Sequence, residues 1–277
     1  ELINPNTKTC PIFRSKRDAE ITKAIYRRVP VLIKEGTDGK PDENPWGISF
    51  SRMFDMSNDS HLFRTREQLE CDGFKLNGNI FEKGDERYLP LYEAKMIHHY
   101  NHRWASSNAD DDREMDAGFY ADPNNVVMPR YWVAEDEVEQ QLKGKWDRKW
   151  LVGFRDICRT TDERTVISTI FPNFGVNHKL PLILTKTFSN YEFYILSLLA
   201  NLSSIILDFS ARQKVGGTSL TYHYLKQFPV LIIEKYIRLE SILLIEKSTK
   251  TNSIDNQDDF MIHDWIASRV LELTYTA

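Results

Sequence analysis

Cysteine is scarce in this chain. Its 277 residues hold three, Cys10, Cys71 and Cys158, far apart and in no C-x-x-C pair. That count argues against a disulfide framework and a cysteine metal cluster, and it fits a reducing cytoplasm. No segment reads as a secretory signal. Long uninterrupted apolar runs are missing too. The most apolar stretch, 191–209, is broken by Asn201, Ser203, Ser204 and Asp208, which predicts a core helix rather than a membrane span. There is no strong excess of positive charge: the net charge is −4. This argues against a chain-wide nucleic-acid coat but leaves room for a local basic patch. Catalytic signatures are absent as well: no G-x-G-x-x-G, no nucleophile elbow, no H-E-x-x-H and no Asn-Pro-Pro-aromatic tetrapeptide. Asn4-Pro5-Asn6 and Asn44-Pro45-Trp46 only approach the last of these. No repeat or low-complexity tract is visible. The chain begins at Glu1 and stops at Ala277, just after a helical pattern, so it is expected to be a piece of a longer protein.

What is present suits a folded globule, with 41% hydrophobic and 12% aromatic residues. The pattern predicts an α+β fold: a mixed or antiparallel sheet domain, a long core helix and a helical C-terminal part. Three parts are expected: a basic linker helix in 1–34, a main domain in 35–231 and C-terminal helices in 232–277. In the first, Ser15 with Asp18 resembles a capping box. Ile21, Ala24, Ile25 and Val29 follow at helical spacing, and Pro30 ends the run. A solvated connector accounts for its basic residues at least as well as phosphate contact does. Thr65 with Gln68 opens a short helix. Phe74 to Phe81 reads as a hairpin turning at Asn77-Gly78. Strands are expected at 130–134, 150–155 and 165–170, with a helix at 136–142 and an acidic surface loop at 106–125. Asn190 is placed as the cap of one helix running to about Arg212. Further helices are expected at 232–247 and 259–273, with a polar gap at 248–257.

The segment Arg212-Gln-Lys-Val-Gly-Gly-Thr-Ser-Leu-Thr-Tyr222 concentrates groups suited to reading DNA. It joins guanidinium, amide, ammonium and hydroxyl groups to backbone that can be approached closely. An ordinary helix-ending glycine turn is compatible with that role. The candidate contacts here are Arg212, Gln213, Lys214, Gly216, Gly217, Thr218, Ser219, Thr221 and Tyr222. Arg155, Arg159 and Arg164 form a second basic segment, which Asp156, Asp162 and Glu163 could neutralise. His98, His99 and His102 are the most metal-like group. Without a Cys or carboxylate at ligand spacing they read first as a partly exposed aromatic strand, and second as donors to phosphate or a base edge. Asp85, Glu93 and Lys95 imitate an acid-x-lysine nuclease core holding Mg²⁺, a short and common pattern.

With these residues in view, a resemblance can be stated. The segment 4–28, the block Leu91-Tyr-Glu-Ala-Lys-Met-Ile-His-His-Tyr-Asn-His-Arg-Trp104 and the glycine loop resemble, in the same order, the region after the catalytic core of large restriction–modification-type adenine-N6 DNA methyltransferases. More distantly, Pro90 to Ile97 and Leu199 to Pro229 are similar to type I specificity-subunit target-recognition domains. The resemblance implies recognition of duplex DNA, with an upstream methyltransferase domain of the same polypeptide binding S-adenosylmethionine and holding the flipped adenine. It implies no catalytic residue, cofactor or membrane contact in this chain. DNA contacts map onto 212–222, onto His99 and Arg103, and onto Arg155 and Arg159. A Mg²⁺-dependent nuclease, or a protein-interaction module docking through 16–29, are the alternatives.

Overall fold

The computed structural model describes residues 2–107, 112–185, 191–238 and 262–276. Its helices are α1 (Lys16–Arg28), α2 (Arg66–Cys71), α3 (Ala117–Tyr120), α4 (Glu135–Leu142), α5 (Tyr191–Leu202), α6 (Ile205–Arg212), α7 (Tyr222–Lys226), α8 (Ile233–Arg238) and α9 (Ile262–Thr276). Its strands are β1 (Ile48–Ser51), β2 (Phe63–Arg64), β3 (Lys75–Asn77), β4 (Ile80–Lys83), β5 (Glu86–Tyr92), β6 (Ala105–Ser107), β7 (Asp112–Glu114), β8 (Trp132–Ala134), β9 (Trp150–Phe154), β10 (Ser168–Pro172), β11 (Gly175–Val176) and β12 (Leu182–Thr185). The fold is α+β, as the sequence pattern predicts. Two compact units emerge. The first takes Glu1–Gly47, Thr187–Gly216 and Thr221–Glu272; the second takes Ile48–Lys186, Gly217–Leu220 and Leu273–Ala277. This division is not the linear one expected at 34 and 231, because the chain returns to the second unit at Gly217–Leu220.

The second unit is built on two sheets. One runs β2-β8-β5-β4-β3, with β11 lying parallel to the end of β5; the other runs β1-β12-β9-β10 and is antiparallel throughout. β9 is buried on both faces: Leu151, Val152 and Phe154 are all enclosed, as is Phe171 of β10. Tyr92 at the end of β5 stacks on Phe171 of β10 at 5.9 Å, which fastens one sheet to the other. A second core gathers Leu69, Phe74, Phe81 and Trp132 beneath the first sheet. Thr65 caps α2 in a full capping box with Gln68. The β3–β4 hairpin forms one residue later than expected. Asn77 still pairs with Ile80, and the turn residues are Gly78, at φ 60°, and Asn79. Asn79 is drawn into the turn by its side-chain bond to the Val127 carbonyl and by the Trp132 indole donating to its own carbonyl.

The first unit is held by pairing across a long sequence separation. The Leu32 and Ile33 N–H groups donate to Phe228 and Lys226, and Val230 donates back to Pro30. Ser15 caps α1 by accepting from the Asp18 N–H, and its hydroxyl donates to the Asp18 carboxylate. The helix buries Thr22 and Tyr26 and leaves its basic residues outside. The expected single helix to Arg212 is instead two, α5 and α6, bent by 53°. Ser204 causes the break: its hydroxyl accepts from the Leu207 N–H and starts a new helix. Asn190 and residues 239–261 lie outside the described residues, as does part of the acidic loop. No single described helix is long and apolar enough to cross a membrane.

Two glycines separate a packing requirement from its absence. A Cβ on Gly175 would sit 2.5 Å from Val133 Cγ1 and 3.3 Å from Leu91 Cδ1, whereas one on Gly217 meets nothing within 4 Å. Gly175→Ala is expected to lower unfolding stability by about 1–3 kcal/mol through overpacking. Gly217→Ala is expected to change it by no more than about 0.5 kcal/mol. Denaturant melts of the two variants check this, and equal losses would contradict it.

Candidate nucleic-acid interface

The structure brings together two of the segments that the sequence nominated separately. Residues 217–220 lie antiparallel against 156–158, bridged at Ile157 and Ser219. The Cys158 N–H donates to the Thr218 carbonyl at 3.1 Å and the Leu220 N–H to the Asp156 carbonyl. Beneath this ridge Asp156 is 2% exposed. One carboxylate oxygen accepts from Ser219 Oγ and the other from Lys179 Nζ at 3.2 Å. The Asp156 N–H also donates to the Lys179 carbonyl. A buried carboxylate needs such partners, since an unpaired one is strongly disfavoured. The ridge is therefore pinned from below. Its outer surface carries Ile157, Arg159, Gly217 and Thr218, all exposed. Among the described residues the Arg159 guanidinium meets no carboxylate, while its carbonyl is held by the Asp162 N–H and by Thr165 Oγ1. The N–H groups of Gly217 and Thr218 make no hydrogen bond among the described residues. Such an edge can offer guanidinium, hydroxyl and backbone donors to an external polyanion.

Most of the other nominated cations are turned to internal use. Arg155 is largely buried; its Nε donates to the Ile97 carbonyl at 2.9 Å, and its Nη2 reaches the Ile97 and Lys95 carbonyls. Burial draws its pKa below the ordinary value. Arg103 donates to the Asn125 and Pro123 carbonyls at 3.0 and 3.3 Å and lies over the rings of Phe119 and Tyr120. Arg212 pairs with the buried Asp208 at 2.8 Å, one helical turn back. Lys214 is enclosed in the first unit: Nζ donates to the Ile3 carbonyl at 2.6 Å and to the Gln227 carbonyl, above the Tyr26 ring. Gln213 ends α6 and Thr221 starts α7, whose first residue Tyr222 lies beside His223. Gly216 is exposed, with open space where a side chain would stand. Arg155, Arg103 and Lys214 thus give these donors to main-chain carbonyls. Low-dielectric pockets recruit cations as carbonyl ligands just as surfaces recruit them for anions. A further cationic surface is the outer face of α1, where Arg17, Lys23, Arg27 and Arg28 are exposed and, among the described residues, only Lys16 forms an ion pair, at 3.9 Å with Glu20.

The histidine cluster folds as a tight turn. His98 and Asn101 exchange backbone bonds, Tyr100 takes φ 58°, and the His98 ring lies 4.4 Å from Trp104. His99 sits inside this turn and contacts His98 and Tyr100. Burial, with Arg155 adding to it, lowers the His98 pKa to about 4. Burial, with Arg103, does the same for His102. Neither brings positive charge to a phosphate at neutral pH. Among the described residues no three His, Cys, Asp or Glu side chains converge as metal ligands. The acid-x-lysine trio is not assembled. Asp85 lies in the β4–β5 turn and Glu93 beyond the other end of β5, roughly 25 Å along extended chain. Glu93 is instead engaged by Lys95 at 3.5 Å and by Ser107. Sequence reasoning missed Lys179 and treated Asp156 as a surface partner for arginines. No local pattern marks contacts of Asp156 with Lys179 and Ser219, 23 and 63 residues away.

Two pH effects follow. The depressed histidines favour the fold above their unfolded pKa of about 6.5. That stability is lost as pH falls toward about 4. Imidazole NMR titration should find both neutral down to about pH 4; a midpoint near 6.5 for either would contradict the burial argument. Burial likewise pulls Lys214 down to about 7, against the opposing pull of its two carbonyls. Its contribution is complete above about 10.4, the unfolded value, and declines as pH falls to about 7. Thermal melts across that window should show a pH dependence that Lys214→Met flattens.

No protein-family model matches the chain, and no curated protein matches it.

Proposed function

We propose that this chain recognises duplex DNA, as the specificity-bearing part of an S-adenosylmethionine-dependent adenine-N6 DNA methyltransferase of a restriction–modification system. The carrying observation is the pinned ridge. Arg159, Gly217 and Thr218 are exposed, and the Gly217 and Thr218 N–H groups make no hydrogen bond among the described residues, on backbone that the buried Asp156 holds in place. Preorganised donors lose little conformational freedom on binding. Two antiparallel segments are also narrow enough for the DNA major groove, about 12 Å wide. The outer face of α1 supplies Arg17, Lys23, Arg27 and Arg28 for sequence-independent phosphate contact. The methyltransferase setting rests on the resemblance of 4–28, 91–104 and 212–222. Base chemistry and S-adenosylmethionine binding would belong to an upstream domain.

Fluorescence anisotropy with duplex DNA across a salt series tests this. Binding should weaken steeply with salt. Arg159→Ala should cost about 1–3 kcal/mol. If Arg159 contacts a phosphate, the slope of log K against log salt should also fall by about 0.9. Absence of binding at low salt, or an Arg159→Ala variant with unchanged affinity and slope, would overturn the assignment of this ridge.

A protein-docking role is favoured by a different feature. Ile205 and Ile206, in the first turn of α6, are 78% and 63% exposed. Adjacent exposed isoleucines suit an apolar partner surface. Under that reading Ile206→Glu abolishes partner capture while leaving DNA affinity unchanged.

A further inference from the structure

Ile157 is out of place on a polar ridge. It is 55% exposed, although its neighbours Asp156 and Cys158 are 2% and 3% exposed. The cause is strand alternation: buried residues at 156 and 158 send 157 and 159 to the same open face. Leaving an isoleucine in water forfeits roughly 1.5–3 kcal/mol of burial. Nothing in the ridge covers it. Its cross-strand partner is Ser219, whose hydroxyl is directed down to Asp156. Gly217, two residues before Ser219 on the same ridge, has no side chain and open space where one would stand. The ridge is thus low around one apolar and one cationic side chain, both standing on a rigid support.

We propose that Ile157 packs on the C5-methyl group of a thymine in the DNA major groove, while Arg159 takes a guanine edge two base pairs away. This rests on the DNA-recognition reading above. The thymine methyl is the apolar group that base edges present in that groove, and guanine O6 and N7 are the preferred acceptors of an arginine. The spacing agrees. Two residues of extended strand cover roughly 6.8 Å. Two base-pair steps at about 3.4 Å each cover the same distance. The Asp156 clamp with Ser219 and Lys179 prevents this segment from sliding to another register.

The test begins with selection of a preferred site from randomised duplexes, using the full chain. Each thymine is then replaced by uracil, which removes only the methyl group. One uracil position should weaken binding about fourfold, the worth of one buried methyl group. Ile157→Ala should show the same loss on the thymine duplex and no further loss on the uracil duplex. Arg159→Ala should lose discrimination at a guanine two pairs from that position. Because Ile157 is exposed, its variant should melt like the parent, so a binding change reports contact. Salt-dependent binding that is indifferent to every uracil, or that is equally sensitive to uracil in Ile157→Ala, overturns the proposal while leaving the DNA reading intact. Absence of any duplex binding removes both.

Discussion

The buried carboxylate of Asp156 is the constraint on which the candidate surface depends. Its side chain accepts from Ser219 and Lys179, its N–H donates to the Lys179 carbonyl and its carbonyl accepts from Leu220. These partners come from two distant parts of the sequence. A carboxylate with little access to water must be satisfied by such groups or become protonated. The requirement therefore docks residues 217–220 against 156–158, just beyond the end of β9, and the exposed side chains above it follow from that docking.

Cations are divided between two tasks. Arg155, Arg103 and Lys214 spend their donors on main-chain carbonyls: one beneath β5, one across the α3 loop and one around the N-terminal segment. Several peptide carbonyls share these donors, and Glu114 and Asp162 add their charge at Arg155, which suits partly buried sites that must still hold loops in place. Arg159 and the outer α1 residues remain at the surface. Identity as Arg or Lys does not distinguish these groups. The number of carbonyls within reach does, and that number is a tertiary property.

Local signals were legible in the sequence where the physics is local. The Ser15 and Thr65 caps, α4 and most of β8 and β9 follow from hydrogen-bonding residues and periodicity within a few positions. Ser203 and Ser204 interrupt the apolar run, yet their effect as a break with a new cap depends on the fold around α6. The hairpin was legible to within one residue. Less accessible was anything set by pairing at long range: the division into units, the enclosure of Lys214 by residues 3 and 227, and the contact of Ser219 with Asp156. The two nominated segments that meet at the ridge were each visible by composition. Their adjacency was not.

The return of Gly217–Leu220 to the second unit has a consequence for biosynthesis. A ribosome completes β1 to β12 well before it makes residue 217, so the sheets can assemble while Asp156 still awaits Ser219. This outer edge of the second unit is closed only after α5 and α6 of the first unit have emerged. An immature chain would thus have a folded scaffold without this outer edge. Cutting the gene at the end of β12 would leave that edge permanently unfinished.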